Sequence, residues 1–207
     1  MNSTKVKICG ITSLEDARAA VAMGANLLGF NFYAKSPRYV TVEQAAAMAD
    51  ELPAFVDLVG IFVNATAQAI RAALHTCSLD WIQLHGDETP DFCRGFDGDH
   101  VRIIKALRIK EASDMEQCKA FQTDAVLLDA FHPALYGGTG ETFDWDLVAE
   151  TNRRVFLAGG INPSNAAEAF ELGLYSIDVC SGVESEPGIK DHVKMQTLFD
   201  NVRHLLG

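Results

Sequence analysis

Residues 155–182, VFLAGGINPSNAAEAFELGLYSIDVCSG, hold one complete structural unit. An apolar run over Val155–Gly159 ends in a glycine pair. A helical pattern follows over Ser164–Leu172, with Pro163 placed to open it and Gly173 to close it, and a second apolar run covers Ser176–Ser181. Both runs are too continuously apolar for a strand with one wet face. The unit therefore reads as β–α–β, with parallel strands covered on both sides.

Outward from this unit the pattern repeats. The runs Val6–Gly10, Leu27–Phe32, Leu58–Asn64, Trp81–His85, Arg102–Leu107 and Ala125–Ala130 bring the strands to eight. Between them lie Leu14–Met23 behind a Ser13 cap, Val42–Leu52 behind Thr41, Ala67–Leu74, a short helix from Thr89-Pro90, Ala112–Phe121 and Trp145–Glu150; His192–Leu206 ends the series. Eight βα units with no linker or shift in composition predict a single α/β domain over residues 1–207, a (β/α)8 barrel. At 207 residues it must be a compact one, since ~250 is typical. A doubly wound open sheet is the alternative, and it rarely runs to eight regular units.

Composition narrows the function. Seventeen Lys and Arg against 28 Asp and Glu give a net charge of −11, which repels phosphate backbones and anionic lipid, so neither nucleic acid nor a membrane surface is expected as a partner. The five cysteines are odd in number and lack CxxC spacing, so they read as reduced thiols. No apolar leader and no ~18-residue apolar stretch is visible, and a cytoplasmic protein is expected. HExxH, carboxylate clusters with metal spacing and a strand-following GxGxxG are all missing, so neither metal nor cofactor is expected. A monomer is the default reading, with a homodimer left open.

In such a barrel chemistry sits at the C-terminal ends of the strands. There the sequence places Cys9, His85, Asp129 and, at the eighth strand, Asp178 to Gly182. Cys9 and Asp129 close otherwise apolar strands and make a plausible base and acid, although a lone Cys is more often a small buried hydrophobe, the reading accepted for Cys77, Cys93 and Cys118. Asp129 is expensive to bury without a partner or a task, with a cap for the following turn as its bland reading. His85 serves equally well as a core histidine. Gly159 and Gly160 after the seventh strand, with Ser181 and Gly182 after the eighth, suit a phosphate held by backbone NH groups and a helix N-terminus. A third cluster, Gly137-Gly138-Thr139-Gly140, lies in the long segment 131–143, where simple flexibility is the plainer explanation.

Strand parity adds one more expectation. If Cys9 faces the barrel mouth, Lys7 lies one layer deeper on the same face, and a buried ammonium there needs a partner. Strand eight, its neighbour in a closed barrel, carries Asp178. A Lys7–Asp178 pair, or a network including Gln83, should fix the floor of the site and bias Cys9 towards thiolate.

Read together, Lys7-Ile8-Cys9-Gly10-Ile11, Gly29-Phe30-Asn31-Phe32 with Ser36-Pro37-Arg38-Tyr39, Gln83-Leu84-His85-Gly86, Leu128-Asp129, Gly137 to Gly140 with Phe143-Asp144-Trp145, Leu157 to Ile161, and Ser181-Gly182-Val183-Glu184 with Pro187-Gly188-Lys190-Asp191 resemble the phosphoribosylanthranilate isomerases. The segments run in the family's order over nearly the whole chain. Ala130 and Glu141 are small departures from the pattern. The resemblance implies an Amadori rearrangement of a phosphorylated small-molecule substrate in tryptophan biosynthesis. In it Asp129 is the general acid, Cys9 the general base, and Arg38, which has no acidic neighbour in sequence, the clamp on the anthranilate carboxylate. His85, Gly138, Gly159, Gly160, Asp178, Ser181 and Gly182 would complete the binding site. The related histidine-pathway isomerase carries aspartates at the ends of strands one and five, where this chain has Cys9 and Ala106-Leu107. Indole-glycerol-phosphate synthase would need Lys and Glu at strand ends where none stands. A non-catalytic barrel would have no reason to keep Cys9 and Asp129 together with both glycine loops.

Overall fold

The computed structural model describes residues 4–130, 144–150, 153–203 and 205. Eight parallel strands close into a barrel in sequence order: β1 (Lys5–Cys9), β2 (Leu27–Asn31), β3 (Asp57–Phe62), β4 (Trp81–Leu84), β5 (Arg102–Ile109), β6 (Ala125–Ala130), β7 (Val155–Leu157) and β8 (Ser176–Val179). β8 returns to β1, with Lys5, Val6, Lys7 and Ile8 opposite Ser176, Ile177, Asp178 and Val179. The outer ring contains α1 (Leu14–Met23), α2 (Val42–Ala49), α3 (Ala67–Thr76), α4 (Pro90–Arg94), α5 (Ala166–Glu171) and α6 (His192–Arg203).

Alternation along the strands makes two cores. One face of each strand packs on the helices through residues such as Val6, Ile8, Leu28, Phe30, Ile82, Val126 and Leu128. The other fills the barrel with Leu27, Val59, Trp81, Ile104, Ala125, Leu127 and Phe156. At the base Trp81, Phe156 and Tyr175 pack ring to ring, with centroids 5.2–6.1 Å apart. Arg102, Lys5 and Arg154 lie over these rings, so cations seal the aromatic plug towards water.

The caps follow the sequence. Ser13 accepts from Asp16 N, Thr41 and Gln44 form a reciprocal capping box, and Thr89 accepts from Phe92 N just ahead of Pro90. Three expectations need correction. The segments Ala112–Lys119 and Trp145–Glu150 are 3-10 rather than α-helical. In the first, the Asp114 carboxylate takes the NH groups of Lys110 and Glu111, and Ser and Asp so early in a helix favour such local bonds. Pro163 does not open the seventh helix: the side chains of Asn162 and Asn165 bond to nearby backbone, hold residues 162–165 in turns and delay α5 to Ala166. Gly173, with φ +65°, does end it. The third is an addition, a hairpin of β9 (Glu184–Glu186) and β10 (Ile189–Lys190) that lies outside the barrel order. Pro187-Gly188 turns it, with Gly188 at φ +86°, the residue pattern of a type II turn.

Candidate active site

One pocket opens at the C-terminal ends of the strands. Cys9, Arg38, His85, Asp129, Gly159, Gly160, Asp178 and Ser181 all line it, so eight of the ten expected site residues meet in one place. Gly138 lies outside the described residues, as does the rest of the glycine cluster and Glu141. Gly182 stands behind the pocket wall, where a side chain would meet the Ile161 carbonyl at 2.0 Å and Asn162 Cα at 2.9 Å. Its lack of a Cβ lets the loops after β7 and β8 touch.

Those loops make the rim. Gly159 and Gly160 take φ of +87° and +64°, conformations that glycine adopts without strain. The Gly160 carbonyl is held by the side-chain amides of Asn162 and Asn165 at 2.9 and 3.2 Å. Because α5 starts only at Ala166, the expected helix dipole is replaced by the glycine loop and by the 3-10 turn Ser181–Val183. Backbone amides of this kind form the concave nests that hold anions.

Beneath the mouth, Lys7 Nζ lies 2.9 Å from both Asp178 carboxylate oxygens and 2.9 Å from Gln83 Oε1. The pair predicted from parity and the network including Gln83 are both present. Burial alone would lower the Lys7 pKa, but the charge and hydrogen bond of Asp178, together with the charges of Cys9 and Cys180, hold the ammonium above its ordinary range. Since Gln83 Oε1 accepts from Lys7, its amide nitrogen faces His85 Nδ1 at 2.7 Å and must donate there. A neutral His85 therefore carries its proton on Nε2. That nitrogen sits 3.4 Å from Asp129 Oδ2, near enough for charge but too poorly aligned for a hydrogen bond, and it is buried without a hydrogen-bond partner among the described residues. An unsatisfied donor aimed into a pocket beside Asp129 is a ligand contact in waiting.

Cys9 departs from expectation. Its thiol is held well above the ordinary range, first by its hydrogen bond with Cys180 and then by burial; Lys7 opposes both. Cys180 moves the other way, lowered to about 7 by that same bond, against burial and with help from Lys190 and Arg38. Burial pushes Cys77 and Cys93 up to about 11, consistent with inert packing.

Arg38 is also not unpaired. Nε and Nη2 fork onto the Glu184 carboxylate at 2.9 and 2.7 Å, and Lys190 Nζ joins at 2.9 Å. Burial alone would raise the Glu184 pKa, yet Arg38 and Lys190 bring it below the ordinary carboxylate value. Three of the five Arg38 N–H donors remain unused by Glu184. Glu184 and Lys190 are the functional neighbours that sequence reasoning missed; the Pro187-Gly188 turn between them was the available signal.

A rim of loop amides after β7 and β8, over a thiol and a carboxylate at other strand ends, is the arrangement of the (β/α)8 barrels that handle phosphorylated substrates. Similarity to known proteins is narrower. The family model described as N-(5'-phosphoribosyl)anthranilate (PRA) isomerase matches residues 6–201. The N-(5'-phosphoribosyl)anthranilate isomerase of Citrifermentans bemidjiense is 46% identical over 205 residues, 98% of each chain. The chain belongs to this family. Among solved structures, the phosphoribosyl anthranilate isomerase of Thermus thermophilus superposes with TM-score 0.89 at 36% identity, covering 98% of this chain and 100% of its own. A phosphoribosyl anthranilate isomerase in complex with reduced 1-(o-carboxyphenylamino)-1-deoxyribulose 5-phosphate gives TM-score 0.85 at 37% identity, covering 97% and 99%.

Proposed function

We propose that the protein isomerises N-(5'-phosphoribosyl)anthranilate to 1-(2-carboxyphenylamino)-1-deoxyribulose 5-phosphate, an aldose-to-ketose rearrangement in tryptophan biosynthesis. The observation that carries this reading is the meeting of Cys9 and Asp129, from β1 and β6, in one pocket rimmed by the Gly159-Gly160 loop.

In the proposed mechanism the phosphate sits on the rim amides and the anthranilate carboxylate takes the free donors of Arg38. Asp129 gives a proton to the furanose ring oxygen. The bond from C1 to that oxygen breaks as the anthranilate nitrogen lone pair forms a C=N bond. Cys9, as thiolate, removes the C2 proton, and the electron pair of that C–H bond becomes the C1=C2 bond of an enolamine. The Cys9 thiol then gives a proton to C1 as the C2 hydroxyl gives its own to the Asp129 carboxylate, which leaves the ketone at C2 and restores both groups. The substrate nitrogen is the electron sink, so the residues need only move protons and hold the two anionic ends. In this reading His85 Nε2, 3.4 Å from Asp129 Oδ2, donates to a sugar oxygen of the substrate.

Incubation of the purified chain with phosphoribosylanthranilate should consume the substrate fluorescence without added metal or nucleotide. Persistence of that fluorescence would overturn the reading.

A further inference from the structure

The register of β1 on β8 does more than pair Lys7 with Asp178. Ile8 stands opposite Val179, and the next step along both strands sets Cys9 beside Cys180 at the mouth. Both sulfurs line the pocket and hydrogen-bond to each other. The proposed mechanism uses only one of them. We propose that Cys180 is a positioning residue for the reaction: it shares a single proton with Cys9 and so supplies the thiolate with which Cys9 meets the substrate. The proposal deepens the reading of Cys9 as general base and rests on it.

The charges around the pair support one thiolate, not two and not none. Facing Cys9 are Lys7, which favours the anion, and Asp178, which opposes it. Facing Cys180 are Lys190 and Arg38, which favour the anion, and Glu184, which opposes it. Two thiolates in contact would repel strongly. Two thiols would leave the cations of the mouth poorly balanced.

The proton movements close. At rest Cys9 S–H donates to the Cys180 thiolate. Transfer of that proton gives a Cys9 thiolate and a Cys180 thiol, and Cys180 Sγ lies 4.0 Å from Glu184 Oε1, an acceptor for its new S–H. The Cys9 thiolate then takes the C2 proton of the substrate, gives a proton to C1 of the enolamine, and takes the shared proton back from Cys180, which restores the resting pair. No water has to enter the pocket for the base to be made.

The test compares the wild type with Cys180→Ser, which keeps the volume but does not ionise in this range, and Cys180→Ala. Two quantities are read between about pH 5.5 and 9.5: kcat/KM, and the rate at which iodoacetamide alkylates Cys9, located by peptide mass. In the wild type both should rise through about pH 7, where Cys180 titrates. In both variants both midpoints should move up by at least one pH unit, a loss of about tenfold near neutrality that fades at high pH. A uniform loss with unmoved midpoints would mean that Cys180 only packs, and the proposal falls. A shift in alkylation with an unmoved kcat/KM profile would instead remove Cys9 as the base, which overturns the function reading on which the proposal stands. The wild type alone gives a further check through its ultraviolet thiolate absorbance: one thiolate per chain should appear between about pH 6 and 8, and none or two would refute proton sharing.

Discussion

Two lysines of the barrel strands are buried, each against a carboxylate, and they do different work. Lys7 meets Asp178 at 2.9 Å and Lys105 meets Glu88 at 2.8 Å, with all four side chains at 6% exposure or less. Lys7 points into the barrel, two residues below Cys9, and its remaining bond runs through Gln83 towards His85 and Asp129. Lys105 lies between Ile104 and Ala106, which both face inward, so it points outward. Its ammonium ties down the carbonyls of Leu84 and Gly86, while Glu88 takes the NH groups of Gly86 and Asn64. The first pair sets charge in a site and the second fastens loops. Burial and pairing look the same in both; what each cation's leftover bonds reach separates them.

The largest effects belong to the two groups that the inner network serves. Cys9→Ala and Asp129→Asn should each lower kcat by about 10²- to 10⁴-fold, the usual worth of a general acid or base, while thermal unfolding stays close to wild type. Near-normal turnover in either would end its assignment. The comparison itself is broken or kept by Lys7→Met and Lys105→Met. Each strands a buried carboxylate, so each should cost ~3–5 kcal/mol in urea unfolding. Only Lys7→Met should also lower kcat, by at least tenfold or ~1.4 kcal/mol of transition-state stabilisation, when assayed where both variants are folded. Equal kcat losses would mean that the two pairs do the same job.

The inner pair was legible because it depends on two regular things, alternation along a strand and the closure of strand eight onto strand one. Given a barrel, Lys7 has one neighbouring carboxylate at its level. The same register places Cys9 beside Cys180, and nothing beyond counting two residues forward on each strand is needed to see it. The outer pair is harder, since Glu88 comes from a loop with no period. Arg38 and Glu184 are 146 residues apart, both beyond the ends of the barrel strands, so a search for acidic neighbours in sequence finds none. Helix existence was readable from apolar spacing, but the switch to 3-10 at Ala112 and the late start at Ala166 depend on side chains bonding to nearby backbone, which spacing does not register.

A middle-sized effect sharpens the division at the mouth. Arg38→Ala should raise KM roughly ten- to a hundredfold, the worth of charge-assisted hydrogen bonds to the substrate carboxylate, with kcat much less changed. Glu184 keeps Lys190 in that variant, so the loss should fall on binding more than on folding. An unchanged KM would mean that the carboxylate binds elsewhere. Inorganic phosphate should compete with substrate at the rim of Gly159, Gly160 and Ser181, and a noncompetitive pattern would place the phosphate outside it.

The smallest effect is one of pH, and it separates the floor from the mouth. Lys7 has its pKa raised above 10.5, so its stabilising contribution is complete below that value and is lost only as pH climbs through the raised one. Glu184 has its pKa lowered from 4.5, so its contribution is complete above about 4.5 and is lost as pH falls through the lowered value. Neither changes near neutrality. In acid the unfolded chain binds a proton at Glu184 before the folded chain does, and this pulls the equilibrium towards unfolding. Wild type should therefore lose stability more steeply below about pH 4.5 than Glu184→Gln, once each is referred to its own value at pH 7. Lys7→Met should lack the loss of stability that the wild type shows at the alkaline end. An acid slope untouched in Glu184→Gln would show that Arg38 and Lys190 do not hold its carboxylate charged, and the mouth would then owe its shape to packing rather than to that ion cluster.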